Sequence, residues 1–429
     1  MIFKLYDILL YAVAPLYFPF MALSHMAKGK RRLGLRERFG FFRPGFFTEK
    51  KGGRAWFHAV SVGETLAAVP LVLALKEKMP DVEIYFSTVT ETGNKVAREK
   101  LGDNAKIFFF PFDFGCVVRR VIGQMSPDLF IVVETEIWPN LLKALHDAGI
   151  PSLIVNGRIS PRSLKGYSRF GFFFRRVLPL VSRYLMQSEA DAQRIIRLGA
   201  PPQKVSVAGN IKFDQAIAAG RPAMSRAALG IPDGAKVLIA GSTHQGEEDE
   251  ALKAYKQLLI DFPGMAVVLA PRHPERFAAA EEAVRRAGFH CVRKSAGAQL
   301  IAPGSVLLLD TMGELAGTYA VGDINFVGGS WANIGGHNIL EPASFGKPVF
   351  FGPVMHNFRD ISRILKDCGA GIEVKDGAEL ATEAAKLLRD PARYSALGKA
   401  ALEAIEKNKG ALASDLKAVE EFLKEKNDG

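Results

Sequence analysis

The sequence predicts an α/β protein with two domains, each built on a parallel sheet covered by helices. Short apolar runs alternate with helical stretches along most of the 429 residues, which is the pattern of buried parallel strands joined by helices. Turns rich in glycine and hydroxyl side chains follow several of these runs. A chain of this length exceeds one ordinary core, so we expect two domains.

The composition is that of a globular protein, with 48% hydrophobic and 24% charged residues. Cys116, Cys291 and Cys368 are widely spaced and form no C-x-x-C pair. This spacing argues against a disulfide framework or a structural zinc site, and it fits a reducing compartment. We expect no metal site and no cofactor. The net charge of +11 favours anionic partners, namely a phosphorylated ligand, an anionic membrane or a nucleic acid.

The N-terminal segment predicts membrane association. Residues 8–27 contain no Asp, Glu, Lys or Arg, and their length reaches the lower range for crossing a bilayer. A basic cluster follows at once: Lys28, Lys30, Arg31, Arg32, Arg36 and Arg38. Without a convincing cleavage site we predict an uncleaved anchor, with the bulk of the chain in the cytoplasm. Pro15 and Pro19 weaken a straight helix, so a helix lying in the membrane interface is the first alternative and a buried core helix the second.

The first α/β domain begins near residue 54. We predict strands over residues 55–60, 83–88, 107–110, 129–133, 150–155, 184–187 and 205–208. In parallel sheets ligands bind beyond the carboxyl ends of the strands, so the loops at 61–65 and 134–140 should lie at the working edge. Glu134 and Glu136 leave one strand end together, and two carboxylates repel unless a cation or a ligand hydroxyl lies near. Helix N-terminal acidity is an equal alternative.

Residues 158–184 are basic and aromatic. Phe172, Phe173 and Phe174 are consecutive and cannot share one helical face, so at least one should be exposed among the surrounding arginines. This composition favours a lipid surface. Single-stranded nucleic acid and internal packing of the phenylalanines are the alternatives.

The second domain repeats the alternation, with strands predicted over 237–240, 266–270, 306–309, 324–327 and 349–351. Two glycine pairs, Gly328-Gly329 and Gly335-Gly336, follow the fourth strand. We expect a helix from about Asn338 to Gly346, whose positive N-terminal end would favour an anion. Glu341 lies one turn further on and suits a ribose diol. The loop therefore predicts a nucleotide or sugar-nucleotide site, the alternative being a tight turn that needs positive φ.

Three further strand ends carry candidate ligand groups. Arg272 is placed for a phosphate or a base, and Met312 to Glu314 for a base or a ribose. Lys212 lies at the junction of the two halves, where it meets a phosphate or serves as a solvated linker residue. The tail over 380–425 should form charged helices that pack across the back of the domains.

Several motifs, in order along nearly the whole chain, resemble those of the 3-deoxy-D-manno-octulosonic acid (Kdo) transferases. They are S-V-G-E-T-L-A-A (61–68), E-T-E-I-W-P-N (134–140), G-S-T-H-x-G-E-E (241–248), P-R-H-P-E-R-F (271–277), D-T-M-G-E-L (310–315) and F-V-G-G-S…G-G-H-N-x-L-E (326–341). The resemblance implies the GT-B fold, in which two Rossmann-like domains with parallel sheets face a cleft. It also implies inverting transfer of Kdo from CMP-Kdo to the lipid A precursor, lipid IVA, in lipopolysaccharide synthesis at the cytoplasmic face of the inner membrane.

The resemblance divides the chain and assigns roles. Residues 1–30 form the anchor or interfacial helix, 31–215 the acceptor domain, and 216–429 the CMP-sugar domain with its C-terminal helices. Glu37 is implied as general base, and Glu134 and Lys212 as supports of the transition state. CMP is implied to contact Pro271, Arg272, Met312, Gly313, Glu314, Asn338, Ile339, Leu340 and Glu341. In the family pattern glycine precedes the base, whereas here Arg36 does and Gly34 comes two positions earlier, which puts the local backbone in question.

Two other classes stay open on sequence grounds. One is a sugar-nucleotide epimerase of the same fold, which needs no lipid acceptor. The other is a non-enzymatic membrane or nucleic-acid binder, which the positive charge permits. The family resemblance favours the membrane and the lipid acceptor as partners, and no nucleic acid.

Overall fold

The computed structural model describes residues 2–27, 34–50, 52–218, 223–297 and 300–427. The chain splits into two compact units. Unit 1 comprises Met1–Asp214 and Lys409–Gly429, and unit 2 comprises Gln215–Asn408. Four members of the basic cluster, Lys28, Lys30, Arg31 and Arg32, lie outside the described residues.

Unit 1 contains a seven-stranded, wholly parallel sheet. Its strands are β1 (Arg54–Ala59), β2 (Glu83–Thr88), β3 (Lys106–Phe109), β4 (Leu129–Val133), β5 (Ser152–Gly157), β6 (Arg183–Met186) and β7 (Val205–Val207). They are ordered β3-β2-β1-β4-β5-β6-β7. The strand interiors are buried almost throughout because helices cover both faces, which is why these strands read as continuous apolar runs.

The helices of this part of the chain follow the strands in alternation. They are α1 (Ile2–Ala27), α2 (Leu35–Arg38), α3 (Val62–Lys78), α4 (Glu91–Leu101), α5 (Gly115–Met125), α6 (Pro139–Asp147), α7 (Pro161–Ser168), α8 (Gly171–Val177), α9 (Glu189–Leu198) and α10 (Ile211–Ala218). Helix α1 runs on through Pro15 and Pro19. It contains one 18-residue window, Ile2–Pro19, that is long and apolar enough to cross a membrane, and none of the window is buried.

Unit 2 contains a second seven-stranded parallel sheet. Its strands are β8 (Val237–Thr243), β9 (Ala266–Pro271), β10 (His290–Arg293), β11 (Ser305–Leu308), β12 (Ile324–Val327), β13 (Val349–Phe351) and β14 (Gly371–Glu373), in the order β10-β11-β9-β8-β12-β13-β14. Its helices are α11 (Glu247–Asp261), α12 (Phe277–Arg286), α13 (Leu315–Thr318), α14 (Leu340–Ala343), α15 (Arg359–Asp367), α16 (Gly377–Leu388) and α17 (Pro391–Asn408).

The last helix, α18 (Ala411–Asn427), belongs to unit 1. This corrects the sequence-based division, which assigned all of 216–429 to the second domain. Leu416, Val419 and Leu423 enter the apolar core against α3, and Asp214 accepts hydrogen bonds from the backbone at the start of the helix. The sequence of the tail predicts a helix whichever unit it belongs to, and only the tertiary packing determines which hydrophobic core the helix joins.

The α/β class and both parallel sheets are confirmed, and the differences are local. Strands β10 and β14 were missed because each is short and only partly buried. The helix expected over 338–346 is wrong in length. It is the single turn α14, beginning two residues after Asn338, and Gly346 follows it with φ of +65°. A one-turn helix has little dipole to offer an anion.

One buried histidine makes the stability of unit 1 sensitive to pH. The ring of His58 is fully buried and stacks on Phe110 with 3.8 Å between centroids. Its Nδ1 lies 3.0 Å from the Ser87 hydroxyl, while Nε2 has no hydrogen-bond partner among the described residues. Burial lowers the pKa of His58 from 6.5 to about 3, so the imidazole stays neutral in the folded state.

We predict that, as the pH falls from 6.5 to 5, the free energy of unfolding of unit 1 decreases less in the His58→Phe variant than in the wild type. In this window the unfolded wild-type chain takes up a proton that the folded chain refuses. The free energy of unfolding therefore falls with decreasing pH by up to about 1.4 kcal/mol per pH unit more than in the variant. Urea unfolding in a Trp331→Phe background, where fluorescence reports on Trp56 and Trp138, measures both slopes. Equal slopes would contradict the prediction.

Candidate active site

In each unit the strand order reverses at one point, and polar loops follow the two strands that meet there. In unit 1 the reversal lies between β1 and β4, and in unit 2 between β8 and β12. A crevice opens at the carboxyl ends of such a strand pair, because the helices that follow run to opposite faces of the sheet. The predicted loops at 61–65 and 134–140 lie at the reversal in unit 1, and the motif at 241–248 lies at the reversal in unit 2.

A cavity of about 220 Å³ lies in unit 2 beyond these strand ends. Its wall combines one guanidinium, one carboxylate, small polar groups and apolar side chains. The lining residues are Ser242, Ala270, Pro271, Arg272, Leu309, Thr311, Met312, Gly313, Leu315, Ala316, His337, Asn338 and Glu341. Six of the predicted contact residues are therefore gathered here: Pro271, Arg272, Met312, Gly313, Asn338 and Glu341.

The other three predicted contact residues lie beside the cavity rather than in its wall. The side chains of Ile339 and Leu340 are fully buried in the core. Glu314 accepts a hydrogen bond from the Thr311 hydroxyl. The Asn338 side chain accepts from the Leu340 backbone N–H and donates to Glu341 at 3.4 Å, so it orients the turn that carries the carboxylate.

The glycine-rich loop after β12 binds an anion, but that anion is the protein's own Glu247. This carboxylate is 1% exposed and accepts five backbone N–H groups at 2.7 to 3.1 Å. The donors are His244, Gly329, Ser330, Trp331 and Ala332. These amides therefore do not face a ligand phosphate, because Glu247 occupies them.

The glycines of the loop serve its packing on neighbouring protein atoms. A Cβ on Gly328 would lie 2.7 Å from the Glu247 carboxylate, and one on Gly329 would lie 2.7 Å from the His337 ring. Gly335 and Gly336 have φ of +104° and +78° and face His356 and Met355 at similarly short distances. The alternative of a turn that requires positive φ therefore accounts for their local role.

A histidine pair joins the glycine loop to the cavity wall. The Nε2 atoms of His244 and His337 are 2.8 Å apart, and the rings are nearly parallel. One Nε2 must carry a proton and the other must accept it. Burial, followed by the charge of Arg272, lowers the pKa of His337 to about 4, and burial also lowers the pKa of His244. The pair is thus neutral near pH 7.

In unit 1 the loops after β1 and β4 bring three glutamates into electrostatic contact. Glu64 accepts from the Val60 N–H and the Ser61 hydroxyl. Glu134 has a φ of +63°, which is unusual for a residue with a Cβ and marks a strained strand end. Burial, then the charges of Glu64 and Glu134, raises the pKa of Glu136 to about 7. A carboxyl that is half protonated at neutral pH can donate a hydrogen bond to an anionic or hydroxyl-bearing ligand.

Lys212 joins the same edge from the first turn of α10. Burial lowers the pKa of its ammonium, Glu134 opposes that shift, and Arg158 adds to it. Asn156 positions this turn, because its side-chain oxygen accepts the Ile211 N–H and its own φ is +50°. The structure therefore brings together two of the predicted catalytic residues, Glu134 and Lys212.

Glu37 lies elsewhere on the same sheet edge. In α2 its carboxylate accepts the Phe109 N–H at the carboxyl end of β3, at 2.9 Å. Two strands separate β3, whose end Glu37 contacts, from β4, which precedes Glu134, so these two strands are about 14 Å apart at the usual strand spacing. The positive φ falls on Gly34, where a Cβ would lie 2.0 Å from the Phe109 ring, while Arg36 is exposed. Glycine is therefore needed at position 34, because the backbone there has a positive φ and a Cβ would clash with the Phe109 ring.

The comparisons with known proteins agree with these motifs. The family model described as 3-deoxy-D-manno-octulosonic-acid transferase (kdotransferase) matches residues 33–215. The chain is 35% identical over 423 residues to the 3-deoxy-D-manno-octulosonic acid transferase of Haemophilus influenzae, covering 97% of this chain and 98% of that one. It is 34% identical to the Bordetella pertussis transferase, covering 97% and 99%. The chain belongs to the Kdo transferase family.

This membership makes the chain a glycosyltransferase that acts in lipopolysaccharide synthesis. Among solved structures, UDP-GlcNAc 2-epimerase from Neisseria meningitidis bound to UDP-GlcNAc aligns with a TM-score of 0.56 at 13% identity, covering 87% of this chain and 100% of that one. A glycosyltransferase from Rickettsia africae aligns with a TM-score of 0.56 at 12% identity, covering 87% and 99%. These likenesses support the GT-B type of fold, and the family membership disfavours both the epimerase and the non-enzymatic binder.

Sequence reasoning gave no role to Glu64, His244, Glu247 or His337, and it treated Glu136 only as one of a pair of neighbouring carboxylates. All five lie within quoted motifs, so the signal was present as residue type and order. The role of Glu247 depends on distant amides that come within reach only when β8 and β12 pair. Within the residues that the structure describes, no group of three or more His, Cys, Asp or Glu side chains is placed to hold a metal ion.

We predict that Glu247→Gln loosens the loop at 329–332. An amide offers one acceptor oxygen, and its NH₂ group would face backbone donors. Losing charge-assisted bonds worth about 1.5–3 kcal/mol should speed hydrogen exchange of these amides by roughly 10- to 100-fold. Mass-spectrometric exchange on the purified enzyme measures this.

Glu248→Gln is the matched control. Glu248 is also 1% exposed and adjoins Glu247, but it holds Arg276 and Thr243 instead of the loop. Exchange at 329–332 should stay at the wild-type rate in this variant. Equal acceleration by the two substitutions would mean that general destabilisation of unit 2 explains the effect.

Proposed function

We propose that the enzyme transfers Kdo from CMP-Kdo to the lipid A precursor lipid IVA, with inversion at the anomeric carbon. The observation that carries the proposal is the unit 2 cavity, which joins a guanidinium, a carboxylate and apolar side chains in one wall. A nucleoside monophosphate presents the matching groups, which are a phosphate, a ribose diol and a planar base. The family membership supports Kdo as the transferred sugar.

Each part of the donor has a counterpart in the cavity. Arg272 suits the phosphate, because a guanidinium can form paired hydrogen bonds to its oxygens. Glu341, oriented by Asn338, suits the ribose hydroxyls. Met312 and Leu309 offer apolar contact to the base. The neutral His337 side chain completes the wall without adding charge.

The residues of unit 1 support the transfer step. The anomeric carbon of Kdo is quaternary and bears a carboxylate, so its reaction passes through an oxocarbenium-like state. Glu37 removes the proton from the lipid hydroxyl on one face as CMP departs on the other. Glu134 and Lys212 support the charges of the transition state, and Glu136, half protonated at neutral pH, donates a hydrogen bond to the sugar in its protonated form.

We place the reaction at the cytoplasmic face of the inner membrane. Unit 1 would bind the lipid acceptor, and unit 2 would bind the donor. Support comes from the apolar helix α1 and from Phe172, which is 68% exposed beside exposed arginines. Phe173 and Phe174 pack against the core, so the expected division of the three phenylalanines is observed.

Incubation of the purified enzyme with CMP-Kdo and lipid IVA tests the function. Mass spectrometry should detect lipid carrying Kdo, and NMR of the product should show inverted anomeric configuration. An isomerised sugar nucleotide without glycosylated lipid would instead identify an epimerase. Retained configuration would overturn the inverting mechanism while leaving the transferase assignment in place.

We predict that Glu37→Gln lowers the rate of transfer by about 10² to 10⁴, the usual effect of removing a general base. The amide oxygen can still accept the Phe109 N–H, so the local structure should survive. CMP binding, measured by calorimetry, should be unchanged because the cavity belongs to unit 2.

Glu99→Gln is a suitable control, since Glu99 is a glutamate of unit 1 whose side chain is 62% exposed. It should transfer Kdo at the wild-type rate. Persistent turnover in the Glu37 variant, or a loss of CMP affinity in step with turnover, would show that Glu37 is not the base.

A further inference from the structure

Helix α1 lies along unit 1 instead of projecting from it. Its half-buried residues recur at helical spacing over more than four turns, which identifies one docked face. These residues include Phe3, Tyr6, Asp7, Leu10, Ala14 and Phe18. From Phe3 to Phe18 the docked length is about 22 Å at 1.5 Å per residue.

A charged side chain fastens this face. The Asp7 carboxylate accepts the Gly115 N–H at the start of α5, at 2.9 Å, and the Asn140 side-chain amide, also at 2.9 Å. The first N–H groups of a helix lack partners within the helix, so a carboxylate at that position is stabilised. A Cβ on Gly115 would lie 3.1 Å from Asp7, which shows how closely the two elements approach.

A second polar contact lies one residue away. The Tyr6 hydroxyl donates to Asp113 at 3.2 Å, and Asp113 also accepts the N–H groups of Asn140 and Leu141 at the start of α6. Burial raises the pKa of Asp113 to about 7 despite these bonds. Asn140 therefore links both acidic residues, and α1 is tied to two helices of the unit.

Aromatic contacts extend the docking along the helix. Phe3 and Tyr6 pack on Phe173 of α8, and Tyr11 packs on Phe114 with centroids 5.0 Å apart. Phe18 packs on Phe39, Phe112 and Phe114. Such pairs contribute about 0.5–1.5 kcal/mol each beyond the area they bury. The docked state is thus stabilised at both ends and in the middle.

This geometry conflicts with a helix that crosses the bilayer. The hydrocarbon core is about 30 Å thick, so the docked 22 Å would lie largely within it. Unit 1 would then have to enter the hydrocarbon together with Lys143, whose ammonium lies 5.7 Å from the Phe3 ring. Undocking would instead leave the Asp7 carboxylate facing lipid, which costs several kcal/mol.

The opposite face of α1 is apolar and exposed. It carries Leu5, Ile8, Leu9, Val13, Leu16 and Tyr17, which are 48% to 78% exposed. Phe173 of α8 packs on Phe3 and Tyr6 of α1, so α8 adjoins this helix, and Phe172 and the preceding Phe170 are also exposed. Exposed basic residues surround them, namely Arg162, Lys165, Arg169, Arg175 and Arg176, and residues 158–184 include no Asp or Glu.

We propose that α1 lies in the plane of the membrane and that its exposed face forms, with α8, one continuous surface for an anionic bilayer. The apolar side chains enter the boundary of the acyl chains, and the arginines meet the lipid phosphates. The N-terminus then stays on the cytoplasmic side with both units. The inference rests on the membrane location proposed above and is independent of the donor and the acceptor.

Side-specific labelling of Lys4→Cys tests the topology, because a spanning helix carries residue 4 across the membrane. Spheroplasts of cells that express the full chain are treated with a membrane-impermeant maleimide, and peptide mass spectrometry locates the label. We expect no label at position 4 in intact spheroplasts and full labelling after lysis. Label at position 4 in intact spheroplasts would overturn the proposal, whatever the enzyme transfers.

Glu99→Cys provides the integrity control, since an exposed position of unit 1 should label only after lysis under either topology. The native residues Cys116, Cys291 and Cys368 need not be removed, because peptide mass spectrometry distinguishes their labels from a label at position 4.

A vesicle-binding assay tests the composite surface. The triple variant Phe172→Ala, Arg175→Ala, Arg176→Ala should bind vesicles of phosphatidylglycerol and phosphatidylethanolamine at least about tenfold more weakly than the wild type. A matched triple variant on unit 2, Leu402→Ala, Arg285→Ala, Arg363→Ala, removes one exposed apolar residue and two exposed arginines and should bind normally. Unchanged binding by the first variant would show that α1 alone holds the protein, and equal losses in both would show that positive charge in general, not this surface, drives binding; either result would overturn the composite surface.

Discussion

The candidate donor site depends on one buried carboxylate. Glu247 accepts five backbone amides from two loops that are distant in sequence, and so fixes the geometry at the strand reversal of unit 2. Because a buried carboxylate needs several donors to offset its desolvation, the loop after β12 folds around it. The loop in turn supports His337, and His337 forms part of the cavity wall. The wall is thereby organised before any ligand arrives, which reduces the entropy lost on binding.

Charged groups also organise the strand reversal of unit 1, where there are more of them and the backbone is more strained. Its strand reversal gathers Glu64, Glu134 and Glu136, and the nearby Lys212 ammonium provides the opposing charge. Glu134 and Asn156 hold positive φ at neighbouring strand ends, as Ser242 does in unit 2. Strained backbone and a raised carboxyl pKa at one sheet edge are typical of a site built for chemistry.

For the N-terminal helix α1, apolar composition and tertiary contacts lead to different conclusions about its position. Its apolar length satisfies the test for a membrane span, yet Asp7 and Tyr6 bind main-chain and side-chain groups of unit 1. An average hydropathy does not reveal that one carboxylate in the helix accepts hydrogen bonds from residues more than a hundred positions away in the sequence. In the proposed arrangement the exposed face supplies the membrane affinity, and the docked face determines the orientation.

The sequence by itself determined the α/β class, the two parallel sheets, most strands and the order of the motifs, because buried parallel strands read as local apolar runs. It also singled out the cavity residues Arg272 and Met312 at strand ends, and Asn338 and Glu341 at the helix start that follows the glycine loop. Only the tertiary structure decided that α18 returns to the core of unit 1, that the glycine loop holds Glu247, and that Glu37 stands apart from Glu134. Each of these outcomes depends on pairing between distant segments, to which neither local periodicity nor composition is sensitive.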